Sequence, residues 1–435
     1  MKIAVIGAGM AGLSAAYELQ KAGADVTVFE SADAVGGRTL TRRQSGFQMD
    51  TGAIYVSPGY TQTNRIISEL GLEQALVKVQ PKMGFLRDGE CHPLDLASPG
   101  KSFVKTRLLS FTSKLMLAKL LPRILKLWRN INFGNMGSLA IYDHESTQDY
   151  CSRVLNQELH DYFVDPIIRI NMLNKTHASS SGELFWLLKS LGAPYIYVLT
   201  NGTSTIAEAL AGEIEVLTGS TVGEIRHEAD SVKLTYTRND ASMSQVFDGC
   251  IVTTPPDIAL QLCPSIPKPE QTFFRQVQPI KHMVISLGLS RILPLQESTI
   301  LGSEKESPNL LTIVIDPNRA PGRSAQGHTV VTLWMTEDWS RQLWDTPDDE
   351  VVKHALSEVL PIIGDVAGEV AVNLVTRSNY SCFKGYPGYY QNLDHYMRAK
   401  TRDGRLLFAG DFAGIGIEGA VISGQSAATD MIGSF

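Results

Sequence analysis

An α/β fold carrying a parallel sheet, combined with a second, α+β unit, is predicted by three observations in this chain of 435 residues. First, an apolar run, a glycine-rich turn, a helical stretch and a second apolar run ending in an acid follow one another within residues 2–38. Second, an apolar run ending in Gly410-Asp411 precedes a final helical stretch. Third, helix and strand signals alternate in between, without internal repeats or low-complexity tracts.

The first element is Ile3-Ala4-Val5-Ile6, which reads as a buried strand. Gly7-Ala8-Gly9-Met10-Ala11-Gly12 follows as a tight turn, and Leu13 to Ala22 as a helix. Gly7 allows the sharp turn, Gly9 lets the backbone approach a pyrophosphate, and Gly12 lets helix and strand pack closely. Met10 and Ala11 stand at the helix start that faces the anion. A second strand, Asp25 to Phe29, ends at Glu30, placed to accept hydrogen bonds from a ribose diol. This order defines a Rossmann-like dinucleotide site. Gly36-Gly37-Arg38-Thr39 then supplies close-approach glycines and a guanidinium fork for a second face of the pyrophosphate, which favours FAD over a nicotinamide dinucleotide.

These motifs, with Gly410-Asp411 and Gly419-Ala420-Val421 near the other end, resemble the flavin amine oxidase superfamily of monoamine oxidases, protoporphyrinogen oxidases and phytoene-desaturase-like enzymes. The resemblance implies that Arg38 lies by the FAD phosphates and that Gly410-Asp411 reaches the ribitol phosphate. It also implies that the start of the last helix presents backbone N–H groups to the flavin ring and that Val222 meets the adenine end through its backbone. Gly52, Ala53 and Thr254 complete the expected cofactor set. The implied fold is a discontinuous, glutathione-reductase-like FAD domain of residues 1–80, 201–275 and 390–435. A substrate domain of 81–200 and 276–389, a sheet with covering helices, accompanies it. Between 201 and 256 a helix ending at Leu210, a strand and turn over Glu213 to Val222, and strands at Asp230 to Tyr236 and Cys250 to Pro256 fit the return to the FAD domain. Gly414 to Gly419 also fits the glycine fingerprint. Too few residues follow for another βαβ unit, so no NADPH domain is expected.

Composition excludes other classes. A formal charge of −6 gives no general attraction to nucleic acid. The five cysteines lack CxxC spacing, so neither a zinc site nor a disulfide framework is indicated. No signal peptide precedes the fingerprint and no apolar run of about twenty residues occurs, so a cytoplasmic protein is expected.

The substrate unit carries the finer signals. Lys281 opens the otherwise apolar run Pro279 to Leu287, where a buried ammonium is costly without a partner. It looks like the monoamine oxidase strand whose lysine holds a water against flavin N5, which makes it the expected catalytic residue; a solvated strand cap is the other reading. His282 falls on the opposite face and reads as structural. The spacing of Cys382, Phe383 and Tyr386 resembles the monoamine oxidase segment in which a cysteine bonds the flavin and a cage tyrosine follows. Here Phe383 replaces that tyrosine, and Gly416 stands at the second cage position. Cys382 reads first as a small buried hydrophobe. Non-covalent FAD is therefore expected, with Cys382 the only candidate for a link. Tyr55, Phe383 and Tyr386 are the expected pocket residues.

Residues 101–129 hold eight Lys or Arg and no acid, interleaved with Leu108, Leu109, Leu115, Met116 and further apolar residues to Trp128. The segment reads either as an interfacial helix on anionic lipid or as a pocket cover with a solvated basic face, kinked or divided at Pro122. Trp334, Trp339 and Trp344 lie among polar residues and read as packing or pocket-wall residues without a specific role.

The resemblance implies an amine oxidase in which a C–H beside nitrogen gives a hydride equivalent to flavin N5 and O2 reoxidises the flavin to give H2O2. The alternatives are a desaturase or dehydrogenase of an apolar isoprenoid or porphyrinogen, and a non-catalytic FAD-binding protein. A small amine or apolar molecule is the expected partner. Nothing in the sequence fixes the oligomeric state.

Overall fold

The computed structural model describes every residue except 96–97, 129–130, 132–133, 191–194 and 403. Side chains at 99, 119–124 and 126–128 also lie outside the described residues, and with them most of the apolar and basic positions read in the second half of 101–129.

Five parallel strands form the nucleotide sheet, in the order Leu406–Phe408, Gly249–Val252, Lys2–Ile6, Asp25–Phe29 and Glu215–Leu217. Its central strand is buried on both faces, which is why Ile3 to Ile6 is continuously apolar. Helix Met10–Lys21 covers one face and packs on the last helix, Gly416–Gly433. A Cβ at Gly424 would come within 2.1 Å of the Ala11 carbonyl, so only glycine permits this approach. The helix that follows Gly414-Ile415 is thus the partner of the first helix. After Leu217 the chain turns at Gly219, φ +62°, into Ser220–His227. That strand pairs antiparallel with Val232–Arg238, and Ala241–Phe247 completes a three-stranded sheet.

The second sheet has seven strands, in the order Val370–Phe383, Pro279–Leu289, Thr329–Met335, Leu310–Ile315, Thr299–Leu301, Lys82–Arg87 and Glu90–Asp95. Alternation along Pro279–Leu289 divides its faces. Met283, Ile285 and Leu287 pack under helices Glu337–Gln342 and Asp348–Ile363, with Trp339, Val351 and Val359. The other face meets the hairpin Thr41–Gln44/Phe47–Asp50, where Phe47 and Met49 pack on Val330 and Val372.

Four buried charges tie this face to the nucleotide unit. Asp50 and Asp316 pair with Arg319 and Arg323, all four 2% exposed or less. Arg319 also donates to the Ile54 carbonyl and Arg323 to that of Leu199, while Asp50 accepts from Thr41 and from the Thr203 N–H. Two acids balance two guanidiniums and each guanidinium also reaches a backbone carbonyl, while Arg323 Nε has no partner among the described residues.

The basic segment forms two helices, Pro99–Lys105 and Phe111–Trp128. Its division falls between Thr106 and Ser110, where Leu108 and Leu109 are buried and Lys114 donates to the carbonyls of Val104 and Thr106. Pro122 lies inside the second helix instead of dividing the segment. Among the described residues no helix is long and apolar enough to cross a membrane.

Candidate active site

The phosphate end is built from turns that only glycine fits. Gly7 has φ +104°, and a Cβ at Gly12 would stand 1.9 Å from the Gly7 carbonyl. In front of the helix the situation reverses: a Cβ at Gly9 would meet nothing within 4 Å. No side chain caps this helix start, so its first N–H groups face open space. Gly36 bridges to Gly9 and donates its N–H to the Ala8 carbonyl at 2.8 Å, which lays the Gly36-Gly37 turn over the first one. Thr39 closes that turn by donating to the Gly36 carbonyl. Glu30 accepts from the Ala8 N–H at 2.7 Å and the Ala32 N–H at 2.9 Å. The oxygen that takes the Ala8 N–H keeps a lone pair for a further donor, while the other also accepts from the Ser31 hydroxyl at 3.4 Å.

Arg38 emerges from the same turn. Its guanidinium grips Asp411 with two hydrogen bonds and lies 5.7 Å from the Phe383 ring centroid. The Arg38 carbonyl accepts from the Ala53 N–H at 2.9 Å, and a Cβ at Gly52 would strike that carbonyl. Gly410 donates to Ser423 of the last helix at 3.0 Å. Gly419 packs so closely on Gly414 that a Cβ there would lie 2.3 Å from backbone, and no side chain caps the helix start. Ala420 and Val421 follow in its first turns. Val222 is buried at a ladder irregularity between Val222 and Glu224. Thr254 keeps a buried hydroxyl with no partner among the described residues. Two uncapped helix starts, close-approach glycines, an Arg fork and an orphaned hydroxyl fit a dinucleotide lying between them. FAD would be held by these residues.

Cys382 pairs with Ile280 one residue before the strand ends and lies near Asp411, Glu183 and Arg38. Burial, with the two acids nearby, pushes its thiol up to about 12. Leu173, Ile280 and Leu311 form a small apolar cluster with half-buried Trp334 and Cys382. Tyr386 donates to the Gln276 carbonyl at 3.1 Å and packs edge-on against Tyr389. Burial raises both Tyr55 and Tyr60 above the ordinary tyrosine range, and Tyr55 and Glu418 add to the rise at Tyr60. A Cβ at Gly416 would lie 3.6 Å from the Tyr60 hydroxyl, so Tyr60 borders the position where the resemblance expects a cage tyrosine.

Lys281 follows Ile280 of the apolar cluster in the chain. Its Nζ lies 5.0 Å from the Trp344 ring centroid and its N–H donates to Glu337 at 3.4 Å. The pairing with Val370–Phe383 is irregular between Ile280 and His282, so Lys281 sits at a bulge. His282 takes the opposite side against Trp334, and burial lowers its imidazole to about 4.

Two further groups escaped the sequence reading. Glu183, fully buried in the apolar helix Ser181–Ser190, accepts from the Tyr390 hydroxyl at 2.9 Å, and burial raises it to about 8. A lone acid in Gly-Glu-Leu-Phe-Trp-Leu-Leu was the available signal. Glu418 lies within the apparent second glycine motif and caps helix Thr61–Glu69. It takes the N–H groups of Gln62 and Thr63 and both threonine hydroxyls. Among the described residues no group of three His, Cys, Asp or Glu gathers to hold a metal.

A family model described as flavin containing amine oxidoreductase matches residues 10–432. The chain belongs to this family of FAD-dependent oxidoreductases. It is 34% identical to the mitochondrial protoporphyrinogen oxidase of Nicotiana tabacum over 169 residues, 38% of this chain and 32% of that one. Against flavin-containing amine oxidase A of Canis lupus familiaris the identity is 28% over 214 residues, 46% and 38% of the two chains. The match thus spans between 32% and 38% of these curated relatives. Among solved structures, a triple mutant of putrescine oxidase superposes with TM-score 0.79 at 19% identity, covering 99% of this chain and 98% of that one. Cyclohexylamine oxidase from Brevibacterium oxydans gives 0.77 at 17% identity, with the same coverage of 99% and 98%. Identities this low establish the shared fold.

Proposed function

We propose that the protein is an amine oxidase of this family, taking two electrons from a C–H bond beside nitrogen, with O2 as terminal acceptor and H2O2 as product. The observation that supports this reading is the apolar cluster of Leu173, Ile280, Leu311, Trp334 and Cys382 next to the charges of Arg38 and Asp411. An uncharged C–H donor can rest there without an ion partner. FAD, when bound, supplies the electron-accepting chemistry. The chain's own residues hold the cofactor through the paired turns, Arg38 and Asp411. They orient the substrate among Tyr55, Phe383 and Tyr386, and exclude water with the covering helices. No side-chain base is needed when the amine arrives neutral. The FAD unit of 1–80, 201–275 and 390–435 and the substrate unit of 81–200 and 276–389 are proposed as its domains.

Aerobic peroxide release across an amine panel, with anaerobic bleaching of the flavin absorbance, tests the reading. Peroxide from at least one amine supports it. Bleaching by an isoprenoid or porphyrinogen alone selects the second reading, an apolar-substrate dehydrogenase. That reading is supported by exposed Val104, Phe111, Leu115 and Leu125 in the basic segment. With Lys101, Lys105 and Arg107 exposed nearby, we propose a cytoplasmic protein whose contact with anionic lipid is peripheral.

A further inference from the structure

The sheet face that carries Ile280 and Trp334 holds polar atoms for which the fold provides no partner. His282 is 2% exposed, and its Nε2 has no hydrogen-bond partner among the described residues. Burial keeps the imidazole neutral, against the opposing pull of the Met335 backbone and of Glu337. In the neutral tautomer protonated on the other nitrogen, Nε2 is a lone-pair acceptor. Trp334 packs edge-on against His282, ring centroids 5.7 Å apart, and its indole N–H is also buried and unpartnered among the described residues. Leu173 packs on Ile280 and Leu311, and the next residue, Asn174, leaves its side-chain NH2 unpaired in the same set. One unpartnered ring nitrogen and one unpartnered indole N–H thus adjoin one apolar cluster, and the Asn174 NH2 follows its Leu173 in the chain.

Buried polar groups are almost always paired, by protein, water or ligand. The charges nearby constrain the ligand. Glu337, whose field reaches His282, is already engaged by Lys384 at 2.8 Å and Arg341 at 2.6 Å. Glu183 is kept protonated at neutral pH by its burial. Neither carboxylate is free to neutralise an incoming ammonium.

Building on the proposed amine oxidase reading, we propose that His282, Trp334 and Asn174 clamp an uncharged substrate. His282 Nε2 accepts its N–H, and Trp334 and Asn174 donate to an acceptor atom on the same molecule. The substrate class is a weakly basic aromatic or heteroaromatic N–H compound, and aliphatic ammonium ions are excluded. His282 is a positioning residue for binding, one step removed from the bond that breaks.

The test is equilibrium binding to the flavin-loaded protein, read from the shift in flavin absorbance, with indole, 1-methylindole and benzylamine as probes at neutral pH. Indole binds about tenfold tighter than 1-methylindole, the difference made by one N–H bond to a buried acceptor, and benzylamine binds more weakly than either. His282→Phe makes the two indoles equal. His282→Gln, which restores an acceptor oxygen, recovers part of the preference and serves where the Phe variant does not hold flavin. Trp334→Phe keeps the indole preference but weakens oxindole, whose carbonyl needs a donor. Equal binding of the two indoles to the wild type overturns the proposal and assigns His282 Nε2 to a resident water. So does a preference that survives His282→Phe, or benzylamine as the tightest probe. These measurements need no turnover. Absence of peroxide with every amine therefore sinks the oxidase reading without touching the clamp, and equal indole binding sinks the clamp without touching the oxidase.

Discussion

Arg38 and Asp411 stand 373 positions apart in the chain and meet as a two-pronged ion pair, with Nη2 to Oδ1 at 2.7 Å. The pair joins the turn after the second strand to the end of the last one, and Phe383 of the other sheet lies against the guanidinium. A fork with five N–H donors spends two on Asp411 and keeps others for a phosphate.

Arg38→Ala is expected to weaken FAD retention. A charge-assisted contact contributes about 1.5–3 kcal/mol, which is roughly ten- to hundredfold in dissociation constant. Flavin released during desalting, quantified by absorbance against the wild type, checks this. Unchanged retention would remove Arg38 from the cofactor site.

The buried Glu183 predicts an alkaline weakness. Its folded value, about 8, lies above the ordinary 4.5. The native state therefore keeps a proton that the unfolded chain releases. The stability tied to that proton is fully present below about pH 4.5 and is lost as pH rises toward 8. Glu183→Gln keeps an acceptor for Tyr390 and cannot ionise. Thermal melting should show the variant gaining on the wild type between pH 5 and pH 9, and parallel curves would refute the assignment.

Cys382 is held as a thiol, pushed up to about 12. The thiolate is the nucleophile, so its near absence at neutral pH disfavours a bond to the flavin. Acid precipitation should leave the yellow colour in the supernatant, and mass spectrometry should find the Cys382 peptide unmodified. A flavin adduct on that peptide would overturn the expectation.

Lys281 faces Trp344 and Glu337. With its ammonium over the indole, Lys281→Met should leave flavin binding and the rate of reoxidation by O2 essentially unchanged. Rapid mixing of the pre-reduced protein with oxygenated buffer measures this. A marked slowing would give Lys281 the oxygen-handling role that its position in the sequence suggests.

The helices Pro99–Lys105 and Phe111–Trp128 should bind anionic vesicles in a salt-dependent way, each exposed Lys or Arg adding about 1 kcal/mol near the surface. Lys114 is committed to the Val104 and Thr106 carbonyls, so Lys101, Lys105 and Arg107 are the residues to neutralise. Equal sedimentation with anionic and neutral vesicles leaves the segment as a cover.

The nucleotide unit was legible because its constraints are local. Gly7, Gly12 and Gly36 are read from turn geometry, and Ile3 to Ile6 from burial on both faces. The substrate side was far less legible, since its faces depend on register. A bulge between Ile280 and His282 decides what Lys281 meets, and no periodicity reveals a bulge. Glu183, Asp50 and Arg323 were missed for a related reason: each finds its partner across more than a hundred residues, at Tyr390, Arg323 and Asp50. The resemblance located the cage positions, but Tyr60, which borders Gly416, comes from a different stretch of chain.

The nucleotide sheet has a bearing on how the protein is made. Its strand Leu406–Phe408 pairs with Gly249–Val252, and Asp411 and the helix from Gly416 follow directly. A ribosome therefore displays Arg38, the glycine turns and most of the second sheet well before the carboxylate and helix start that complete the cradle. Contacts of such sequence separation form slowly. Until synthesis passes Asp411 the nascent chain holds half a binding site, and cofactor capture waits on the strand and helix that close the sheet.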